Sequence, residues 1–94
     1  MNFSLFVGEG NARRQAEQIL ANIRDALEHV GVSLEDVVRT RIYVVDIAAN
    51  GGAVAEAHRS TFADILPAST MIEVTALADP RMLVEIEVDA VAGG

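Results

Sequence analysis

The feature that most constrains the fold is a segment near the C-terminus in which apolar and acidic side chains alternate. Over residues 82–91, MLVEIEVDAV, an apolar residue occupies every second position, and Glu85, Glu87 and Asp89 lie between them. Successive side chains of a β-strand point to opposite faces of a sheet. The segment therefore predicts a strand with one buried face and one charged face, and its apolar face needs a covering layer.

Two further segments alternate, and a third is apolar and short. The segment 37–47 is predicted to place Val38, Thr40, Ile42 and Val44 on one face and Arg39, Arg41 and Tyr43 on the other. The segment 70–77 is predicted to place Ile72 and Val74 on one face and Met71 and Glu73 on the other. Residues 2–7 are long enough for one more strand. Opposite charges on neighbouring strands favour cross-strand ion pairs.

Apolar residues at three- and four-residue spacing predict two helices. The first begins after Asn11, which can cap it, and ends at Gly31; its apolar stripe is Ala16, Ile19, Leu20, Ile23, Leu27 and Val30. Ser33 and Asp36 resemble a capping box on one following turn. The second helix is shorter and ends before Pro67. The residues that predict it by their helical spacing are Val54, Ala57, His58, Thr61, Phe62 and Ile65. The segment 50–52, Asn-Gly-Gly, is predicted to be a turn or loop.

The predicted order is β-α-β-α-β-β in a single domain over residues 1–94. Two helices with one apolar stripe each can cover one face of a four-stranded sheet, which gives an α+β fold. The charged residues of the strands then occupy the other face.

Composition excludes several classes of function. The net charge is −7, and all seven basic residues are arginine, so the chain repels phosphate backbones and nucleic-acid binding is not expected. No apolar run approaches ~18 residues, so no membrane span is expected. The first residues lack the features of a signal peptide, and a cytoplasmic protein is expected. Because 51% of residues are hydrophobic, we expect part of the surface to be buried between subunits.

Few residues could carry chemistry. His29 and His58 lack ligand spacing and there is no cysteine, so no metal site is expected. His29 suits the C-terminal turn of the first helix, and His58 fits either a half-buried structural position or a catalytic one. Glu85 and Glu87 share a face of one strand. They can act as general acid and base if burial raises one pKa, or form ion pairs with Arg39 or Arg41.

Four strings together resemble the RidA (YjgF, L-PSP endoribonuclease) family over residues 8–92. They are QAEQILANIRDAL, GVSLEDVVRTRIYVVDI, LPAST and LVEIEVDAVA. The resemblance implies a chorismate-mutase-like fold with a mixed sheet and two helices on one face, assembled as a homotrimer. It also implies ligand clefts between subunits, hydrolysis of 2-imino or 2-enamino acids, and no cofactor. In that family an arginine after Pro-Ala binds the substrate carboxylate in a bidentate manner.

The chain departs from that pattern at the site. Ser69 stands where the family has its arginine, Ala55 where an asparagine is common and His58 where a tyrosine is frequent, while Glu85 matches the family's glutamate. Most of the family's N-terminal hairpin is expected to be missing. The resemblance implies Glu85 as a catalytic residue. The implied substrate-binding residues are Ser69, Thr70, Met71 and His58.

Three hypotheses remain open from the sequence. The first is a trimer that binds a small metabolite without efficient imine deaminase activity, because Ser69 lacks the charge of arginine. The alternative is an enamine or imine deaminase, or another small-molecule hydrolase, that uses Glu85 and His58. The third is a structural trimer with unused clefts. The absence of the arginine argues against the family's own deaminase reaction, and it predicts a neutral or cationic ligand held by Ser69, Thr70 and Glu85.

Overall fold

The structure is a computed structural model, and it describes residues 7–92. In chain order the elements are α1 (Ala12–His29), a 3-10 turn (Leu34–Asp36), β1 (Val37–Val45), α2 (Ile47–Phe62), β2 (Ala68–Val74) and β3 (Val84–Ala90). This is the predicted α+β order over the described residues. The strand predicted at 2–7 lies outside them except for Val7, so it stays a prediction.

The three strands of the described chain form one mixed sheet. Their order is β2-β1-β3, and the central strand β1 runs parallel to β2 and antiparallel to β3. Helix α2 is the crossover that joins the parallel pair, since parallel strands cannot be connected by a tight turn. The register places Thr40 beside Ser69 and Tyr43 beside Glu85.

Both helices lie against one face of this sheet. Helix α1 packs on β3, α2 packs on β1 and β2, and the two helices pack on each other. The apolar stripes of the helices and the inward positions of the strands form a single core, whose largest fully buried apolar side chains are Phe62, Val44, Val54 and Val84. The alternation predicted for the last strand is confirmed, because Val84 and Ile86 are buried and the intervening acids are exposed.

Helix α1 begins and ends where the sequence predicts. The Asn11 side chain accepts a hydrogen bond from the backbone N–H of Arg14 at 3.0 Å. Gly31 follows the helix with φ of +80°, a conformation that glycine adopts without strain. The capping box of Ser33 and Asp36 is present. Neither helix within residues 7–92 combines the length and the apolar character needed to cross a bilayer.

The predicted face of β1 is wrong at Val38 alone, and the predicted buried face of β2 is wrong. A register shift between Val37 and Arg39 turns β1 over at its start, so Val37 is buried and Val38 is 50% exposed. On β2, Met71 lies beside Ile42 and packs against the core, whereas Ile72 is 47% exposed on the opposite face. Hydrophobicity alone favoured Ile72 as the buried residue, but the register of the parallel pair decides the face.

The segment 50–52 is helical, which corrects the predicted loop. Helix α2 already begins at Ile47, because Asp46 caps it and the Glu73 carboxylate accepts a hydrogen bond from the Ile47 N–H at 3.0 Å. A Cβ on Gly51 would lie 2.9 Å from Cγ1 of Ile47 and 3.5 Å from Sδ of Met71. Glycine at this position therefore leaves room for the Ile47 side chain one turn earlier in α2, while Met71 of β2 is at ordinary contact distance, and the local turn signal is overridden by packing.

Candidate functional site

A pocket of about 290 Å³ lies between α2, the connection that follows it and strand β2. This is close to the lower limit of the volumes usual for small-molecule sites. Its wall is largely apolar; the lining residues are Ile42, Ala55, His58, Arg59, Phe62, Ala63, Leu66, Pro67, Ser69 and Met71. The pocket therefore suits a small ligand with an apolar part, and three of the predicted site residues line it.

Thr40 lies beneath this pocket and connects two of its lining residues, His58 and Ser69, through hydrogen bonds. Its side chain is fully buried, and its Oγ1 lies 2.8 Å from Nε2 of His58 and 2.9 Å from Oγ of Ser69. The contact to Ser69 follows from the register, which places the two residues side by side on adjacent strands. A hydroxyl has one proton to donate. When Thr40 donates to Ser69, His58 must therefore donate from Nε2, and the Ser69 hydrogen remains available to a ligand.

His58 is half-buried, and its surroundings favour the uncharged imidazole. Burial lowers the pKa of His58 from its ordinary value of 6.5, because desolvation penalises the cation. The ring of Phe62, one helical turn further along α2, lies with its centroid 4.8 Å from that of His58. The chain His58–Thr40–Ser69 is therefore polar but uncharged at neutral pH.

Arg59 is the lining residue that the sequence interpretation missed. It lies in the last turn of α2, and it is the one lining side chain among the described residues with a permanent charge. The structure gives it no hydrogen bond or ion pair to any other residue in 7–92. The available signal was helical spacing, because Arg59 is four residues from both Ala55 and Ala63, which also line the pocket.

Thr70 and Glu85 lie on the other face of the sheet. Thr70 is the neighbour of Arg41 on β1, and Glu85 is the neighbour of Tyr43. Because Ser69 and Met71 flank Thr70 on an extended strand, they point to the pocket while Thr70 points away. Within one protomer, Thr70 and Glu85 are therefore separated from His58, Ser69 and Met71 by the sheet itself.

The open face also carries the cross-strand pairs that the sequence predicts, with different partners. Arg41 forms an ion pair with Asp89 at 3.0 Å, and the Tyr43 hydroxyl donates to the Glu87 carboxylate at 2.9 Å. The hydrogen bond to Glu87 raises the pKa of Tyr43. Glu85 has no hydrogen-bond partner in the part of the chain that the structure describes.

Leu66 forms part of the pocket rim in a strained conformation. Its φ is +53°, and 81% of the residue is exposed. Left-handed backbone costs a residue with a Cβ roughly 1–2 kcal/mol, and the following proline disfavours the ordinary helical alternative. This conformation leaves the apolar side chain of Leu66 exposed to solvent beside the pocket.

Neither histidine belongs to a cluster of possible metal ligands within residues 7–92. His29 is the last residue of α1, where its position suits the helix terminus. Over residues 7–92 there is no group of three or more histidine, aspartate or glutamate side chains arranged to hold a metal ion.

Comparison with known proteins gives one family. The model of the family Endoribonuclease L-PSP matches residues 4–92. An uncharacterized protein of Streptomyces coelicolor is 30% identical over 89 residues, which are 95% of this chain and 66% of that protein. A RutC family protein of Pyrococcus horikoshii is 33% identical over 79 residues, which are 84% of this chain and 61% of the relative. The chain thus spans less than two thirds of the length of either relative.

Solved structures with the same fold agree with this match. Rv2704 from Mycobacterium tuberculosis, a member of the YjgF/YER057c/UK114 family, superposes with a TM-score of 0.83 at 47% identity. That match covers 89% of this chain and 71% of Rv2704. YyfB of the Rid protein family from Yersinia pestis gives a TM-score of 0.81 at 37% identity, over 95% of this chain and 69% of YyfB.

Proposed function

The chain belongs to the Endoribonuclease L-PSP family, and from this premise we propose that it binds a small metabolite in clefts between the subunits of a homotrimer. In this proposal the pocket between α2 and β2 is one wall of each cleft. The protein is not an efficient 2-imino acid deaminase, although the resemblance to RidA implies that reaction for the family.

The observation that carries the proposal is the environment of Ser69. This residue occupies the position of the family's carboxylate-binding arginine, and its hydroxyl belongs to an uncharged hydrogen-bonded chain with Thr40 and His58. The polar groups on the side of the pocket formed by the strands, here called the strand wall, can orient a ligand. They supply no charge to hold a substrate carboxylate against that wall.

The binding free energy that is lost without the family's arginine is large enough to support a change of activity. A hydrogen bond to a charged group contributes roughly 1.5–3 kcal/mol, and a bidentate arginine makes two. Removing both weakens carboxylate binding at that position on the order of a thousandfold, at about 1.4 kcal/mol per factor of ten. Ribonuclease activity, despite the family's name, is not proposed, because a net charge of −7 opposes binding of RNA.

Hydrolysis by Glu85 and His58 is the second candidate. It is favoured by the neutral imidazole of His58, which is connected through Thr40 to a hydroxyl at the pocket. Glu85 and His58 lie on opposite faces of the sheet within one protomer. This candidate therefore requires Glu85 of one subunit to reach the pocket of another.

The test of the proposal compares the wild type with Ser69→Arg. Imines are generated in situ by an amino-acid oxidase, and the rate of 2-oxo acid release is followed. We expect the wild type to match the spontaneous rate, and calorimetry should show that Ser69→Arg binds 2-oxo acids at least tenfold more tightly than the wild type does. The control is Ser60→Arg, which makes the same change on α2 outside this pocket. Efficient imine hydrolysis by the wild type would refute the proposal.

A further inference from the structure

We propose that Arg59 is the anion-binding residue of this pocket and that the ligand is a short-chain carboxylate with an apolar tail. The inference rests on the proposed function, because it assumes a ligand between α2 and β2. It replaces the neutral or cationic ligand expected from the sequence. That expectation required Glu85 at the pocket and no cation there, and the structure shows the opposite arrangement within one protomer.

The first argument is the sign of the charge. The lining residues in the described part of the chain include Arg59 and no carboxylate. The whole chain has fourteen acidic residues and seven arginines, so a pocket wall with a cation and no acid is unlike the rest of the molecule. An anionic ligand group is the complement of this wall.

The second argument is that the guanidinium of Arg59 forms no structural ion pair within residues 7–92. Arg13, Arg24, Arg41 and Arg81 all form ion pairs with carboxylates, at distances of 2.8–3.6 Å. Arg59, like Arg14 and Arg39, forms none with any residue in 7–92, and of these three arginines it is the one that lines the pocket. Its planar group of N–H donors is therefore available, and it matches the two oxygens of a carboxylate.

The third argument is the arrangement of the remaining wall. The hydroxyl of Ser69 comes from β2, whereas Arg59 comes from α2, and apolar side chains such as Phe62, Leu66 and Met71 complete the lining. A volume of about 290 Å³ accepts a chain of a few carbons beside the carboxylate. A carboxylate held from the helix wall is placed differently from one held at position 69, which is consistent with the loss of the family's deaminase reaction.

The experiment is an NMR titration of the assembled protein with matched probes. The probes are butanoate and hexanoate, with butanamide and hexanamide as uncharged counterparts, and the backbone signals of residues 58 and 69 report binding. We expect the wild type to prefer each acid to its amide by about tenfold to a hundredfold, and Arg59→Gln to abolish that preference. Arg59→Glu should instead prefer hexylamine to hexanoate.

The control variant is Arg24→Gln, which removes the same charge from an exposed side chain outside this pocket. It should keep the wild-type preference, and all variants are first checked for an unchanged melting temperature. If the wild type binds acids and amides equally, the inference is wrong while the proposed function stands. If Arg59→Gln destabilises the assembly without changing the preference, Arg59 has a structural role and the inference is again wrong. If no probe shifts the signals of the wild-type pocket, the inference is wrong, whereas the proposed function is tested separately by the imine assay.

Discussion

At the scale of single residues, the sequence identified part of the pocket and missed its charge. Ser69, Met71 and His58 were expected together, and the structure brings them together. Thr70 was grouped with them because it is adjacent in sequence, yet the pleat of a strand sends it to the opposite face. Arg59 was overlooked because arginine on a helix is ordinary. Only the position of α2 relative to β2 shows that it faces a cavity.

The pKa of His58 leads to a prediction at the same scale. Burial lowers its pKa in the folded state below the ordinary 6.5, so between those two values the unfolded chain binds more protons than the folded one. The contribution of His58 to stability is therefore complete above pH 6.5 and declines as the pH falls below it. Urea denaturation of the wild type and His58→Gln at several pH values from 7.5 to 5 should show a wild-type decline that the variant lacks. The variant His29→Gln should retain the decline, and an identical pH dependence in all three proteins would contradict the prediction.

At the scale of elements, periodicity predicted which segments are helices and strands, while contacts with other elements decided where α2 begins and which face of β1 is buried at its start. Asn50, Gly51 and Gly52 are turn residues, so the local sequence predicts a loop where α2 has its first turns. The bond from the Ile47 N–H to Glu73 depends on a strand more than twenty residues away, which no local pattern reveals. The bulge in β1 is equally hidden, since both Val37 and Val38 suit a buried position.

Gln15 gives a second prediction, because it joins α1 to two other segments. Its buried side chain donates to the carbonyls of Gly8 and Arg81 and accepts from the Leu83 N–H, at 2.8–3.1 Å. Gln15→Ala removes these three hydrogen bonds, although the Gly8 carbonyl still accepts from the Asn11 N–H, and we expect the free energy of unfolding in urea to fall by about 2–4 kcal/mol. The control Gln18→Ala removes an exposed glutamine of the same helix whose side chain, within residues 7–92, bonds only to Asn22. It should change stability by less than about 0.5 kcal/mol, and equal effects of the two changes would show that the buried contacts carry little stability.

At the scale of the whole molecule, the helices leave one face of the sheet open. That face carries the Arg41–Asp89 pair, the Tyr43–Glu87 hydrogen bond and the exposed side chain of Ile72. Arg41 and Asp89 neutralise each other across neighbouring strands, whereas Glu85 has no hydrogen-bond partner within residues 7–92. Thr70 and Glu85 also lie there. If the open faces meet in a homotrimer, these are the residues that one subunit presents to another.

The last prediction tests this arrangement together with the cleft. Light scattering of the wild type should give about 30 kDa, three times the chain mass of 10.0 kDa. Ile72→Arg places a charge on the open face and should dissociate the assembly, because an unpaired charge in an interface loses its solvation. Val30→Arg, at an apolar residue that is 71% exposed beyond the end of α1, should leave the mass unchanged. If subunits complete each other's clefts, the dissociated Ile72→Arg protein should also lose ligand binding, although its own pocket between α2 and β2 is unaltered. A dissociated variant that binds ligand as well as the wild type would show that one chain holds the complete site, and a wild type of about 10 kDa would refute the trimer itself.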